Sequence, residues 1–143
     1  FKLPILHFFW RERMPERSQD WYKQALRDLE QAVDSQKLGR HEWACFAAQQ
    51  AAGKVVKALH LKNRQETWGH VVSRLLHELP NSIEIPELLI EKARVLDNYY
   101  IPARYPNGHP ESAHFEHYDV LQSSEAIQYA SEIIEFIGHQ IAR

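Results

Sequence analysis

The segment Trp43-Ala-Cys-Phe-Ala-Ala-Gln-Gln-Ala-Ala-Gly-Lys-Val-Val-Lys-Ala-Leu59 leaves this chain few folds to choose from. Trp43, Phe46, Ala47, Gln50, Ala51, Val55, Ala58 and Leu59 recur at helical spacing and form one inner side. Ala47, Ala48, Ala51, Ala52 and Gly53 carry almost no side-chain bulk, so another helix can approach closely over the same stretch. A helix from about Arg40 to His60 that invites so close a neighbour predicts packing of helix on helix.

The neighbouring elements follow the same period. Ser18 suits the N-cap of a helix running to about Gln36, with Tyr22, Leu26, Leu29 and Val33 as its apolar stripe. Gly39 marks the turn, and so short a link makes the first two helices an antiparallel hairpin. Beyond a polar connector at 61–69, a third helix from about His70 to Leu79 carries Val71, Leu75 and Leu76. Pro80 and Pro86 bracket a loop. Pro86 also suits the first turn of a fourth helix, to about Asn98, with Leu89, Ala93 and Leu96 turned inward. After the proline-rich segment 102–118, Ser123 or Ser124 is expected to cap a last helix. Its apolar face is Ala126, Ala130, Ile133, Ile134, Ile137 and Ile141. The sequence shows no strand alternation, heptad seam or internal repeat. The fold class predicted is all-α, an up-and-down bundle of four to five helices.

With 143 residues, 44% of them hydrophobic, the chain has material for one domain with a real core. A net charge of -2 excludes bulk attraction to nucleic acid or membrane, so any site for a polyanion must be a local basic patch. The single cysteine, Cys45, cannot form an internal disulfide framework and suits a reducing cytoplasm. Among its apolar neighbours it is expected to be a small buried hydrophobe, not a nucleophile. The apolar run Phe1–Trp10 is too short to cross a bilayer. Arg11 and Arg13 follow it, the reverse of the order in a secretory signal. Met14 is the only methionine. The domain is therefore expected at 14–143, with 1–13 an extension or an artificially appended segment. A native arm packing on the domain or on a partner is the alternative.

The densest chemistry lies in Arg104-Tyr105-Pro106-Asn107-Gly108-His109. Pro102 and Pro106 bias the residues before them away from helix, and Asn107-Gly108 is a turn dipeptide. A guanidinium is always charged and forks onto two phosphate oxygens. An imidazole titrates near neutrality and can move a proton during attack by a ribose hydroxyl. The spacing alone has little force: with ten arginines and nine histidines, about two such pairs arise by chance. Two are present, Arg104 with His109 and Arg64 with His70. The first equally fits a turn in which Arg104 pairs with Asp97 or Glu111 and His109 is solvated. The second lies in a polar connector where His70 simply begins a helix, and it is assigned no site.

Other groupings carry less. His109, His114 and His117 offer imidazoles but no cysteine and no orienting shell, so no metal is expected. Lys54 and Lys57 share one helical face and can meet phosphate, an acidic partner or only solvent. A buried amide needs a partner, so Gln50 is expected to bond across a helix interface. Tyr99, Tyr100, Tyr105 and Tyr118 cluster around the turn, where packing competes with stacking on a nucleotide.

Taken in order, three stretches resemble the HEPN domain (higher eukaryotes and prokaryotes nucleotide-binding). They are Ser18-Gln-Asp-Trp-Tyr-Lys-Gln-Ala-Leu-Arg-Asp-Leu29, the Trp43–Leu59 segment, and Tyr99-Tyr-Ile-Pro-Ala-Arg-Tyr-Pro-Asn-Gly108 ahead of the Ala-rich final helix. The resemblance covers about residues 18–142. It implies a homodimer of helical bundles and a soluble, cytoplasmic protein without cofactor. It also implies one of two functions. The first is a metal-independent, toxin-like ribonuclease opposed by a minimal nucleotidyltransferase, its Arg-x4-His motif being Arg104 and His109. The second is a non-catalytic subunit that binds a nucleotide or a partner protein. In the first, His109 assists the ribose 2′-hydroxyl, Arg104 stabilises charge on the phosphate, and Asp97 orients one of them. Tyr105, Asn107, Lys54 and Lys57 then contact nucleotide or RNA. Tyr105 stands where nuclease members often carry Asn, Asp or His, which places the chain with Arg-Tyr-Pro members.

Overall fold

The computed structural model describes residues 16–101 and 103–143. The expected extension at 1–13 and the residue Pro102 lie outside the described residues. Among the described residues there are five α-helices: α1 (Ser18–Lys37), α2 (His41–Lys62), α3 (Val72–His77), α4 (Glu87–Asp97) and α5 (Val120–Ile141). The proline-rich segment between α4 and α5 contains two short 3-10 turns, Pro106–Gly108 and His114–His117. Among the described residues there is no strand, so the expected all-α bundle is the fold.

The small residues of α2 make it the centre. Cys45, Ala48, Ala51, Ala52, Val55, Val56 and Ala58 are wholly buried, and α1 and α5 pack along it most extensively. Polar ties fix the directions. Gln36 at the end of α1 donates to Ser123 and Ser124, and His41 at the start of α2 shares a hydrogen bond with Ser123, 2.9 Å. At the far end Lys62 reaches the carbonyl of Ile141. So α5 runs parallel to α2, and α1, joined to α2 through Gly39 at φ +76, runs against both.

The close packing also shifts the face of α1 from the one expected. Ala25 and Ala32 are fully buried, while Leu26 is exposed and Tyr22, Leu29 and Val33 are half-buried. Where two backbones approach closely, alanines occupy the seam and larger side chains flank it. The expected faces of α4 and α5 are all buried as read. Two caps differ. Arg17, whose side chain makes no capping bond, precedes α1, and Ser18 is already helical and buried. The last helix starts three residues earlier than Ser123, from a capping box in which Asp119 accepts from Gln122 N and Gln122 Oε1 accepts from Asp119 N.

Candidate functional site

Leaving α4, the chain turns through backbone bonds from Arg104 N and Tyr105 N to the Ile101 carbonyl. This brings Arg104 back against the first half of α2. Its guanidinium lies over three aromatic rings: Tyr100 at 4.5 Å, Phe46 at 4.7 Å and Tyr105 at 5.1 Å. Its Nε donates to the Tyr100 carbonyl at 2.8 Å. Among the described residues no carboxylate pairs with it. The alternative reading, a pair with Asp97 or Glu111, is therefore not what the structure holds.

Tyr100 has a second partner. The His70 ring stacks on it at 4.5 Å with planes 15° apart. His70 stands just before α3, and its position is built, not incidental. Gly69 adopts φ +95, a conformation natural to glycine. Gln49, buried within α2, donates to the His70 carbonyl at 2.7 Å, and Gln50 donates in turn to Gln49. The buried amide that crosses the interface is thus Gln49, one position before the one expected. Loss of hydration pulls His70 below its ordinary pKa, and the charges of Lys57 and then Arg104 pull the same way. Both cations disfavour the protonated form of the imidazole.

Asp97 serves this loop from the other side. Its carboxylate accepts from Val72 N at 2.6 Å, Ser73 Oγ at 2.6 Å and Ser73 N at 3.4 Å. Those bonds satisfy the free amides at the start of α3. Its described bonds hold the α3 start, and none goes to Arg104 or His109.

The described ring contacts of His109 are with other residues than those of Arg104. Its ring stacks on His117 at 4.1 Å, nearly parallel at 3°, and meets Tyr118 edge-on at 5.6 Å. His117 donates through Nε2 to the Glu111 carbonyl at 2.6 Å. Tyr118 also meets Tyr99 edge-on, and burial raises both phenols, Tyr118 to about 12. The four tyrosines therefore divide: Tyr99 and Tyr118 pack the core, and Tyr100 and Tyr105 serve Arg104. Asn107 is exposed in the 3-10 turn Pro106–Gly108.

The two lysines diverge as well. Lys54 forms a half-buried ion pair with Asp28 of α1 at 2.6 Å. Lys57 lies 5.8 Å over the Trp21 ring, and among the described residues no carboxylate pairs with it. Burial, then Lys54, lowers its pKa. Burial, helped by Asp119, Glu42 and Glu125, raises the Cys45 thiol to about 12, so it is a core residue without thiolate character. Among the described residues no three His, Cys, Asp or Glu side chains converge as a metal shell.

What forms here is a local positive pole on a chain of net negative charge. Arg104 and Lys57 flank His70, aromatic faces floor the site, and Phe46 also walls a hollow of about 430 Å³ with Trp43 and Arg40. Sequence spacing found Arg104. It also picked out His70, paired with Arg64, and that pair was assigned no site because the partner that gives His70 meaning, Tyr100, is thirty positions away.

The HEPN domain family model matches residues 18–140. Among solved structures, TT1696 from Thermus thermophilus is 46% identical, with a TM-score of 0.86 over 87% of this chain and 98% of that one. ST0689, an archaeal HEPN homologue, is 38% identical, TM-score 0.76, over 89% and 99%. A HEPN domain protein from Thermotoga maritima is 32% identical, TM-score 0.72, over 87% and 98%. The search of curated proteins found no match.

Proposed function

We propose, from the premise that this chain belongs to the HEPN domain family, that it binds RNA phosphodiesters at Arg104 and cleaves RNA without a metal. One observation carries the reading: a guanidinium held on three aromatic faces, its Nε spent on a backbone carbonyl, with no carboxylate partner among the described residues. Aromatic faces fix such a plane without neutralising it, so the terminal nitrogens remain available to fork onto two phosphate oxygens. In the reaction, the His109 imidazole takes the proton from a ribose 2′-hydroxyl. The 2′-oxygen attacks the adjacent phosphorus, the bond to the 5′-oxygen breaks, and that oxygen takes a proton from solvent water, giving a cyclic phosphate while His109 returns its proton to solvent. Arg104 stabilises the charge that grows on the phosphate oxygens.

Purified protein is expected to degrade RNA in the presence of chelator, and Arg104→Ala and His109→Ala each to abolish the cleavage. Cleavage that persists in both variants sinks the assignment. Since residues acting together are not additive, either loss alone says nothing about the share of each.

A second reading has its own support. The described partners of His109 are His117 and Tyr118, while those of Arg104 are Phe46, Tyr100 and Tyr105. An arginine so held on aromatic faces also suits a non-catalytic subunit that holds a nucleotide or a partner, a minimal nucleotidyltransferase, beside Arg104. The exposed Trp43, Ile101 and Tyr105 around it give apolar surface for that partner or for a second copy in a homodimer. Calorimetry with nucleoside triphosphates and with such a nucleotidyltransferase separates the two readings. Binding without RNA cleavage favours this one.

A further inference from the structure

Beside His70 lies a hollow of about 390 Å³, lined by Trp21, Lys57, Leu61, Glu66, Trp68 and His70 among others. That volume falls within the range of small-molecule sites, roughly 300–1,000 Å³. Trp68 is 82% exposed, the most open of the large apolar side chains among the described residues. An indole left in water on an ordered connector is a face without a cover. Trp21 offers a second indole in the same hollow, and Lys57, over that ring, lines the hollow together with the His70 imidazole.

We infer that this hollow is a nucleotide subsite: the indole of Trp68 stacks a base, and Lys57 with His70 meets its phosphate, beside the phosphodiester on Arg104. The inference deepens the RNA-binding reading and rests on it for the identity of the neighbouring ligand. Three features select this chemistry over a plain apolar ligand. The cations Lys57 and Arg104 have no carboxylate partner among the described residues, so an anion is the missing counter-charge. His70, in the wall of the hollow, shares Tyr100 with Arg104, so one ring ties the hollow to the arginine. Glu66 lies in the hollow with the indoles and can accept from a base amino group. The loop is also fixed, through Gln49 on His70 and Asp97 on Val72, so the slot exists before ligand arrives.

The test titrates the full chain with 5′-AMP, adenosine, inorganic phosphate and a short single-stranded oligoadenylate. The proteins compared are the wild type, Trp68→Ala, Lys57→Met and Arg104→Ala. Trp68 is on the surface, so its removal leaves the core untouched. Stacking on an aromatic ring is worth enough that Trp68→Ala should weaken AMP roughly tenfold, while phosphate binding stays unchanged. Lys57→Met should weaken both AMP and phosphate. A Trp68 effect on AMP assigns the slot a free nucleotide, and an effect on the oligonucleotide alone assigns it a unit of RNA. No Trp68 effect on either ligand overturns the inference. The parent reading fails separately: RNA cleavage or binding that survives Arg104→Ala removes it, even where the Trp68 effect is present.

Discussion

His70 shows how one side chain acquires a role from residues distant in sequence. It stacks on Tyr100, and the cationic groups facing it are Lys57 from α2 and Arg104 from the turn after α4. Lost hydration is the largest cause of its lowered pKa, so removing one charge cannot restore it fully. The imidazole is expected to titrate below 6.5, and in Lys57→Met to move upward part of the way back. Following its ring protons by NMR across pH 4–9 checks both. A wild-type value at or above 6.5, or no rise in the variant, removes the positive pole from the description. At this scale the sequence was partly legible. Proline and Asn-Gly chemistry located Arg104 because turn signals are local. The roles of His70, Gln49 and Trp68 stayed hidden because they come from contacts with residues far along the chain.

Element boundaries were legible to within a few residues, since periodicity reports which face is buried and caps report where it stops. The misses have one physical origin each. The α1 face rotated because close packing on α2 favours Ala25 and Ala32 over longer side chains, and periodicity cannot rank alanine above leucine. The start of α3 depends on a carboxylate from another helix. Asp97, the last residue of α4, supplies three bonds to Val72 and Ser73, and a six-residue helix has little stability of its own. Asp97→Ala should therefore cost about 1–3 kcal/mol of folding free energy, the range for losing a charged cap and leaving buried donors unpaired. Denaturant melts measure this. If instead stability is unchanged while RNA cleavage falls, Asp97 orients catalytic groups and its capping bonds are energetically idle.

Over the whole molecule, charge limits how a polyanion can be held. The chain carries -2 overall, so attraction must come from few cations at one place, and several of those present are already engaged. Lys54 is paired with Asp28, Lys92 with Glu132, and Arg17 and Arg27 with acids one turn away. Arg104 and Lys57 are the two that face the site without a carboxylate partner among the described residues. Each phosphate neutralised on single-stranded nucleic acid contributes roughly -0.7 to the slope of log K against log salt. Two contacts predict a slope of about -1.4 for a short oligonucleotide, far shallower than that of a protein wrapped by a broad basic face. Arg104→Ala and Lys57→Met should each flatten it by about 0.7. Binding measured from 50 to 300 mM salt reads the number directly. A wild-type slope steeper than about -3 would require cations elsewhere on the surface, and the compact site around His70 would then hold only part of the RNA.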